Sequence, residues 1–249
     1  MIDERIAERR RQVRDQRRRH RLRRTIVLAV LLAIVVALVV VERSDLVGLE
    51  EVQVVGTQRL SVEEVVAAAD LPLGTSTLRL GLGAAEDRVE RLPLVRDASA
   101  RRVDPLTVEI RVAERVPALN VRHGDERVLV DRDGVVVAEG NLRGLPQIRV
   151  DEAPPAPGED VTAQPALANA HRAWRELSGP LRAEVVRYDA SGPDELDLRL
   201  ASGVTVRFGR AERVDEKVRS LGAVLEDLGD TEVEAIDVRA PSSPVVTPP

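Results

Sequence analysis

Three histidines, His20, His123 and His171, are the side chains whose ordinary pKa suits proton transfer near neutrality. They fall in an N-terminal tail, a loop and a helix face, none with a second metal ligand three or four residues away, and each reads as a packed or solvated histidine. The chain has no cysteine, which removes disulfides, thiolate metal sites and thiol nucleophiles together. Gly81-Leu82-Gly83 begins like a dinucleotide-binding loop, but the third glycine and a following βαβ unit are missing, so it reads as the loop before a helix. Asp131-Arg132-Asp133-Gly134 has the start of a calcium loop. Its glycine comes too early, however, and Val135, Val136 and Val137 replace the remaining oxygen ligands, so a hairpin turn explains it better. No serine or threonine has a histidine partner in its sequence context. These residues define no catalytic, metal or cofactor site, and the expectation is a chain that is not an enzyme and takes no small-molecule substrate.

Composition narrows the class further. With 43% hydrophobic and 32% charged residues the chain has material for one or two cores. Aromatic content is 1%, limited to Trp174, Tyr188 and Phe208, so those cores are aliphatic. A protein that stacks nucleic-acid bases needs aromatic platforms, and nucleic acid is not expected as a partner.

Charge is divided unevenly along the chain. Residues 1–24 carry +7 and the rest −12, for a net charge of −5. Behind this basic head, Thr25 to Val41 is free of charge over 17 residues. As a helix it spans roughly 26 Å, near the lower limit for a hydrocarbon core, with Arg23 and Arg24 placed to snorkel. The run ends Val39-Val40-Val41, β-branched where a signal-peptide cleavage site needs small residues, so an uncleaved anchor over 25–43 is expected. The positive-inside rule places residues 1–24 in the cytoplasm and everything after Val41 outside the cytoplasmic membrane.

The elements beyond the anchor fall into two groups. Leu49 to Gly56 reads as a strand. Ser61 and Glu64 form a capping box before Val62, Val65, Val66 and Ala69, the face of a short helix. Ala84 to Leu92 suits a second helix, with Glu86 on its exposed side, and Val95 to Val103 and Leu106 to Val112 are strands. The β-α-α-β-β order implies a sheet covered by two helices on one face. Next come strands at Arg127 to Asp131, Val135 to Glu139 and Leu145 to Val150, then a helix over 165–178 whose apolar face is Leu167, Ala170, His171, Trp174 and Leu177. Leu181 to Tyr188, Leu196 to Leu200 and Val204 to Phe208 are expected as strands, Val214 to Leu228 as a helix, and Glu232 to Arg239 as the last strand. The Pro-rich residues 241–249 are expected to be a disordered tail.

In order, several of these segments resemble the FtsQ/DivIB family of cell-division proteins. The first group is similar to that family's polypeptide-transport-associated (POTRA) domain. The residues that carry this are Val54-Val55-Gly56, the helix opened by Ser61, Leu92-Pro93-Leu94-Val95, Arg101-Arg102 with Asp104-Pro105, and Val112 to Pro117. The second group is similar to the family's β domain in Leu129-Val130-Asp131 to Val136, Leu145-Pro146, Gly203-Val204 to Phe208-Gly209, Glu216-Lys217 and Ile236-Asp237-Val238-Arg239. The resemblance implies an α+β chain with five segments: a basic tail (1–24), a transmembrane helix (25–43), a POTRA-like domain (47–115), a β domain with a largely antiparallel sheet and two helices (116–240), and a disordered tail (241–249).

The resemblance also implies a bitopic divisome scaffold at the division septum. Its β domain would receive FtsB and FtsL, linking to the septal peptidoglycan synthase FtsW/FtsI, and its POTRA-like domain would meet FtsK. By position in the family pattern the partner-binding edge strand is Glu232, Val233, Glu234, Ala235, Ile236, Asp237, Val238, Arg239, Ala240 and Pro241, used by β-augmentation. Ala240 stands where relatives often carry an aromatic residue. The other reading of this strand is a closed edge that serves only the fold. A POTRA-bearing docking or chaperone-like protein of export or envelope assembly is the alternative function, although too little chain follows Leu181 to build an outer-membrane barrel.

Overall fold

The computed structural model describes residues 23, 24, 26–37, 40, 48–229 and 231–249. The expected basic tail and His20 lie outside these residues almost entirely, and the expected membrane span lies partly outside them. Residues 26–37 are helical with their apolar side chains exposed. Among the described residues no helix is long and apolar enough to cross a membrane.

The first domain is built from β1 (Glu51–Val55), α1 (Val62–Ala69), α2 (Leu82–Val89), β2 (Val95–Arg102) and β3 (Thr107–Glu114). Its sheet has the order β1-β3-β2, with β1 parallel and β2 antiparallel to β3. α1 starts where its capping box is complete: the Ser61 hydroxyl accepts from the Glu64 amide, and the Glu64 carboxylate accepts from the Ser61 amide at 2.9 Å. Such a cap is worth about 0.5–2 kcal/mol. The other end is closed by Arg88 of α2, whose Nε donates to the Ala69 carbonyl at 3.2 Å. Val65, Ala69, Ala85 and Val89 of the helices are buried against Leu49, Val95, Ala98, Val108, Ile110 and Val112. Small and β-branched residues fill this core because the sequence has no rings to spare. Gly56 must be glycine: its φ is +95°, and a Cβ there would sit 2.2 Å from the Val112 carbonyl oxygen. Glu114, at the far end of β3, holds the turn after β1, its carboxylate accepting from the amides of Gln58, Arg59 and Leu60 at 2.7–3.0 Å.

The second domain is one nine-stranded mixed sheet. Its strands are β4 (Pro117–His123), β5 (Glu126–Asp131), β6 (Val136–Glu139), β7 (Gln147–Val150), β8 (Val185–Gly192), β9 (Glu195–Leu200), β10 (Thr205–Arg207), β11 (Ala235–Asp237) and β12 (Val245–Thr247). They are ordered β12-β11-β10-β9-β8-β7-β4-β5-β6. Three pairs are parallel, β4/β7, β7/β8 and β10/β11, and parallel neighbours need long crossovers. Two of these are helical: α3 (Pro165–Glu176) and α4 (Gly179–Glu184) lie between β7 and β8, and α5 (Val214–Leu228) lies between β10 and β11. Leu167, Ala170 and Trp174 of α3 and Val214 and Leu221 of α5 are buried in the core with Tyr188, Leu198, Val206, Phe208 and Ile236 of the sheet.

Four sequence expectations need correction. β4 was not expected as a strand, and His123 ends it rather than lying in a loop. Asn120 interrupts the apolar pattern there, yet it is buried because its amide nitrogen donates to Leu142 O and Leu145 O while its Oδ1 accepts from Leu142 N. The strand expected from Leu181 begins only at Val185, since Leu181 to Glu184 continue a helix opened by Gly179-Pro180. The domain therefore has three α-helices rather than two. Finally, the tail expected to be disordered contains β12, which pairs with β11.

Candidate interaction surface

The C-terminal sheet edge is set by β10, β11 and β12. β11 is parallel to β10, the Thr205 amide donating to Glu234 O and the Val238 amide to Arg207 O. The amide and carbonyl of Ile236 therefore face β10, and residues 235 and 237 face β12, where they oppose Thr247 and Val245. By the same alternation, the amide and carbonyl of Val246 face away from the sheet. No strand lies outside β12 among the described residues. Val245 is 60% and Val246 37% exposed.

The other end of this sheet is closed. Beyond β6 the loop 158–161 runs alongside: Val136 N donates to Glu159 O, Gly158 N to Val136 O, and Val161 N to Gly134 O. One edge is thus capped by the chain's own loop and the other ends in three residues flanked by Pro244 and Pro248.

The residues expected to form the edge strand, Glu232 to Pro241, occupy the position one strand inward. Only 235–237 are strand. Ala235, Ile236 and Val238 are buried, Pro241 is buried behind them, and Glu232, Glu234, Arg239 and Ala240 are exposed. The edge itself is Val245-Val246-Thr247. Its signal in the sequence is a β-branched triplet between prolines, which Pro-rich composition masks.

Behind this edge α5 is pinned to the sheet by Lys217, the one lysine of the chain. Its ammonium donates to Phe208 O at 2.8 Å and Arg210 O at 2.7 Å and lies 4.8 Å from the Phe208 ring centroid. Burial, and then Arg213 nearby, hold its pKa below the usual lysine value. The outer side of α5 and the tail frame an open cleft of about 610 Å³, lined by Arg219, Val224, Leu228, Pro241, Pro244 and Val246.

The helix-free face of the sheet is polar. Arg149, Asp189, Asp197, Arg207 and Asp237 stand in register across β7, β8, β9, β10 and β11. Burial raises the Asp197 carboxyl, with Arg207 opposing the shift and Asp189 adding to it. Arg239 grips Asp237 with both Nε and Nη2, which keeps that carboxyl low, and its stem covers Gly209. Among the described residues no group of three or more His, Asp or Glu is arranged to hold a metal ion. His171 is buried on α3 against the Asp131–Gly134 turn, its ring 5.7 Å from that of Trp174. That turn is the hairpin between β5 and β6, closed by Asp131 Oδ1, which accepts from the amides of Asp133, Gly134 and Val135.

The fold is a POTRA module set before a mixed β domain, a two-domain α+β architecture whose accessible features are a strand edge and shallow clefts. Residues 47–115 match the family described as "POTRA domain, FtsQ-type", and residues 119–239 match "Cell division protein FtsQ/DivIB, C-terminal". Cell division protein FtsQ of Mycobacteroides abscessus is 33% identical over 81% of this chain and 62% of its own length. The corresponding protein of Streptomyces bingchenggensis is 30% identical over 82% of this chain and 77% of its own length. A distant likeness joins the chain to the solved major extracytoplasmic domain of DivIB from Geobacillus stearothermophilus, with a TM-score of 0.33 and 12% identity over 47% of this chain and 95% of that one. The chain belongs to the FtsQ/DivIB family of cell division proteins. It spans less than two thirds of the length of the mycobacterial relative.

Proposed function

We propose that this chain is a non-enzymatic, single-pass membrane scaffold of the division septum that receives a partner strand on the open edge of its β domain. The observation that carries this reading is the outward backbone of Val246 in β12, at the uncapped end of a sheet whose other end is closed. An unpaired strand edge invites a partner to add main-chain hydrogen bonds. Residues 232–241 then form the backing layer of the site, and Arg239, exposed beside Asp237, is its charged contact. The partners are the FtsB/FtsL pair, which connects to FtsW and FtsI, with FtsK met by the POTRA domain. The apolar run 25–41 anchors the chain in the cytoplasmic membrane, the Arg-rich head inside and both domains outside.

The test is capture of the extracytoplasmic segments of FtsB and FtsL by the full chain and by its Val246→Pro variant. Proline on an edge strand with its nitrogen facing outward preserves the fold and removes the donor. The expected result is at least a tenfold loss of affinity with an unchanged circular-dichroism melt. Wild-type affinity in a folded Val246→Pro protein would place the interface elsewhere.

A further inference from the structure

The POTRA sheet has a free edge of its own, and its amides are already occupied. β2 is the outer strand beside β3. Along it the Ala98 amide donates to Glu90 Oε1 at 3.1 Å and the Ala100 amide to Glu86 Oε1 at 2.6 Å. Both acceptors are side chains, one helical turn apart along α2 and its C-cap. Four residues of helix advance about 6 Å and two residues of strand about 6.6 Å, so the two carboxylates match the spacing of the outward amides. The helix runs against the strand, which pairs the later glutamate with the earlier alanine.

We propose that Glu86 and Glu90 are an edge guard: their carboxylates occupy the sites where a second copy of this chain would pair, β2 against β2, and keep the molecule from associating there. The parity of the strand supports a second copy as the occupant. An antiparallel pairing with its two-fold axis at Ser99 sets Ala98 opposite Ala100 of the other copy, and these are the residues whose amides point outward. The same register sets Asp97 opposite Arg101 twice, with both side chains exposed. It also sets Arg96 opposite Arg102, but the Arg102 guanidinium is turned inward to the carbonyls of Thr77 and Leu80. Ser99, exposed on the axis, would face its own copy as a non-hydrogen-bonded pair with Cα atoms about 4.5 Å apart, within disulfide range.

Because the chain has no cysteine, Ser99→Cys is a clean reporter. It is introduced into the full chain, purified in detergent, in three backgrounds: wild type, Glu86→Ala/Glu90→Ala, and Glu86→Gln/Glu90→Gln, whose amide oxygens still accept from the strand. Under mild oxidation the double alanine protein is expected to form at least ten times more disulfide-linked dimer than wild type, with the glutamine protein near the wild-type level. Circular dichroism of each reduced protein establishes that it is folded. Equal cross-linking of folded wild-type and double alanine proteins overturns the proposal, as does a glutamine variant that cross-links as fully as the alanine one.

Discussion

Replacing Asp131 by alanine should destabilise the β domain more than removing the arginine it pairs with. Asp131 is 3% exposed. Its Oδ1 accepts from three amides at 2.9 Å, and its Oδ2 accepts from Nη1 of Arg115 at 2.7 Å. Arg115 in turn donates through Nε to Val95 O in β2, so this carboxylate ties the hairpin to the first domain. Breaking a buried ion pair costs about 3–5 kcal/mol. The 17% exposure of the Arg115 side chain lets water recover some of that. The stranded amides, Gly134's among them buried, add to the loss, giving about 3–4 kcal/mol for Asp131→Ala. Arg115→Ala breaks the same pair, but the three amides that donate to Oδ1 still compensate the buried carboxylate, so it should cost less, about 1–2 kcal/mol, as should Asp131→Asn, which keeps one acceptor. Trp174, the only tryptophan, lies in the core of the β domain, so urea unfolding followed by its fluorescence reports this domain. With domain stabilities of about 5–15 kcal/mol, a loss of about 3 kcal/mol is plainly visible. An Arg115→Ala protein destabilised as much as Asp131→Ala would refute the division of labour between the two carboxylate oxygens.

Two further outcomes concern buried basic side chains. Burial, and after it Arg175, lowers the His171 pKa below 6.5, so the folded state favours neutral imidazole. Stability that is full above pH 6.5 should therefore fall as pH drops below 6.5 toward the folded-state value. His171→Asn should flatten that fall in the urea-midpoint profile below pH 6.5. Lys217→Met preserves the packed stem but leaves the carbonyls of Phe208 and Arg210 without their donor. The expected loss is about 1–3 kcal/mol in the same assay, with no comparable loss for Arg219→Met on the exposed side of α5.

What the sequence reveals depends on whether the signal is local. The capping box at Ser61 and Glu64, the alternation through β9 and β10, and the apolar stripe of α5 are set by neighbouring residues and are readable one segment at a time. β4 was hidden because Asn120 is polar by type and buried only through hydrogen bonds to a loop more than twenty residues away. The helix at Leu181 was hidden because four residues of Leu-Arg-Ala-Glu run straight into the β-branched Val185-Val186. Edge identity is harder still: Ile236-Asp237-Val238 has a strand's pattern, but whether anything lies outside it is decided by three residues in a Pro-rich tail. Glu86 and Lys217 show the same limit in opposite senses. Both belong to types that face solvent on helices, yet Glu86 is held by a backbone amide of β2 and Lys217 by backbone carbonyls in the segment that follows β10.

The parallel pairing of β1 with β3 bears on mechanical load. The chain enters the first domain at the start of β1 and leaves it at the end of β3, and these are neighbours in register from Glu51↔Thr107 to Val55↔Arg111. A pull between the segment before β1 and the β domain therefore draws the two strands past each other lengthwise. All the bonds of the ladder resist together, whereas a hairpin pulled from its open end would unzip bond by bond. On the function proposed above, with one end in a lipid bilayer and the other bound to division partners, the chain would carry tension along this line, and its first domain is strung in the direction in which a sheet is hardest to tear.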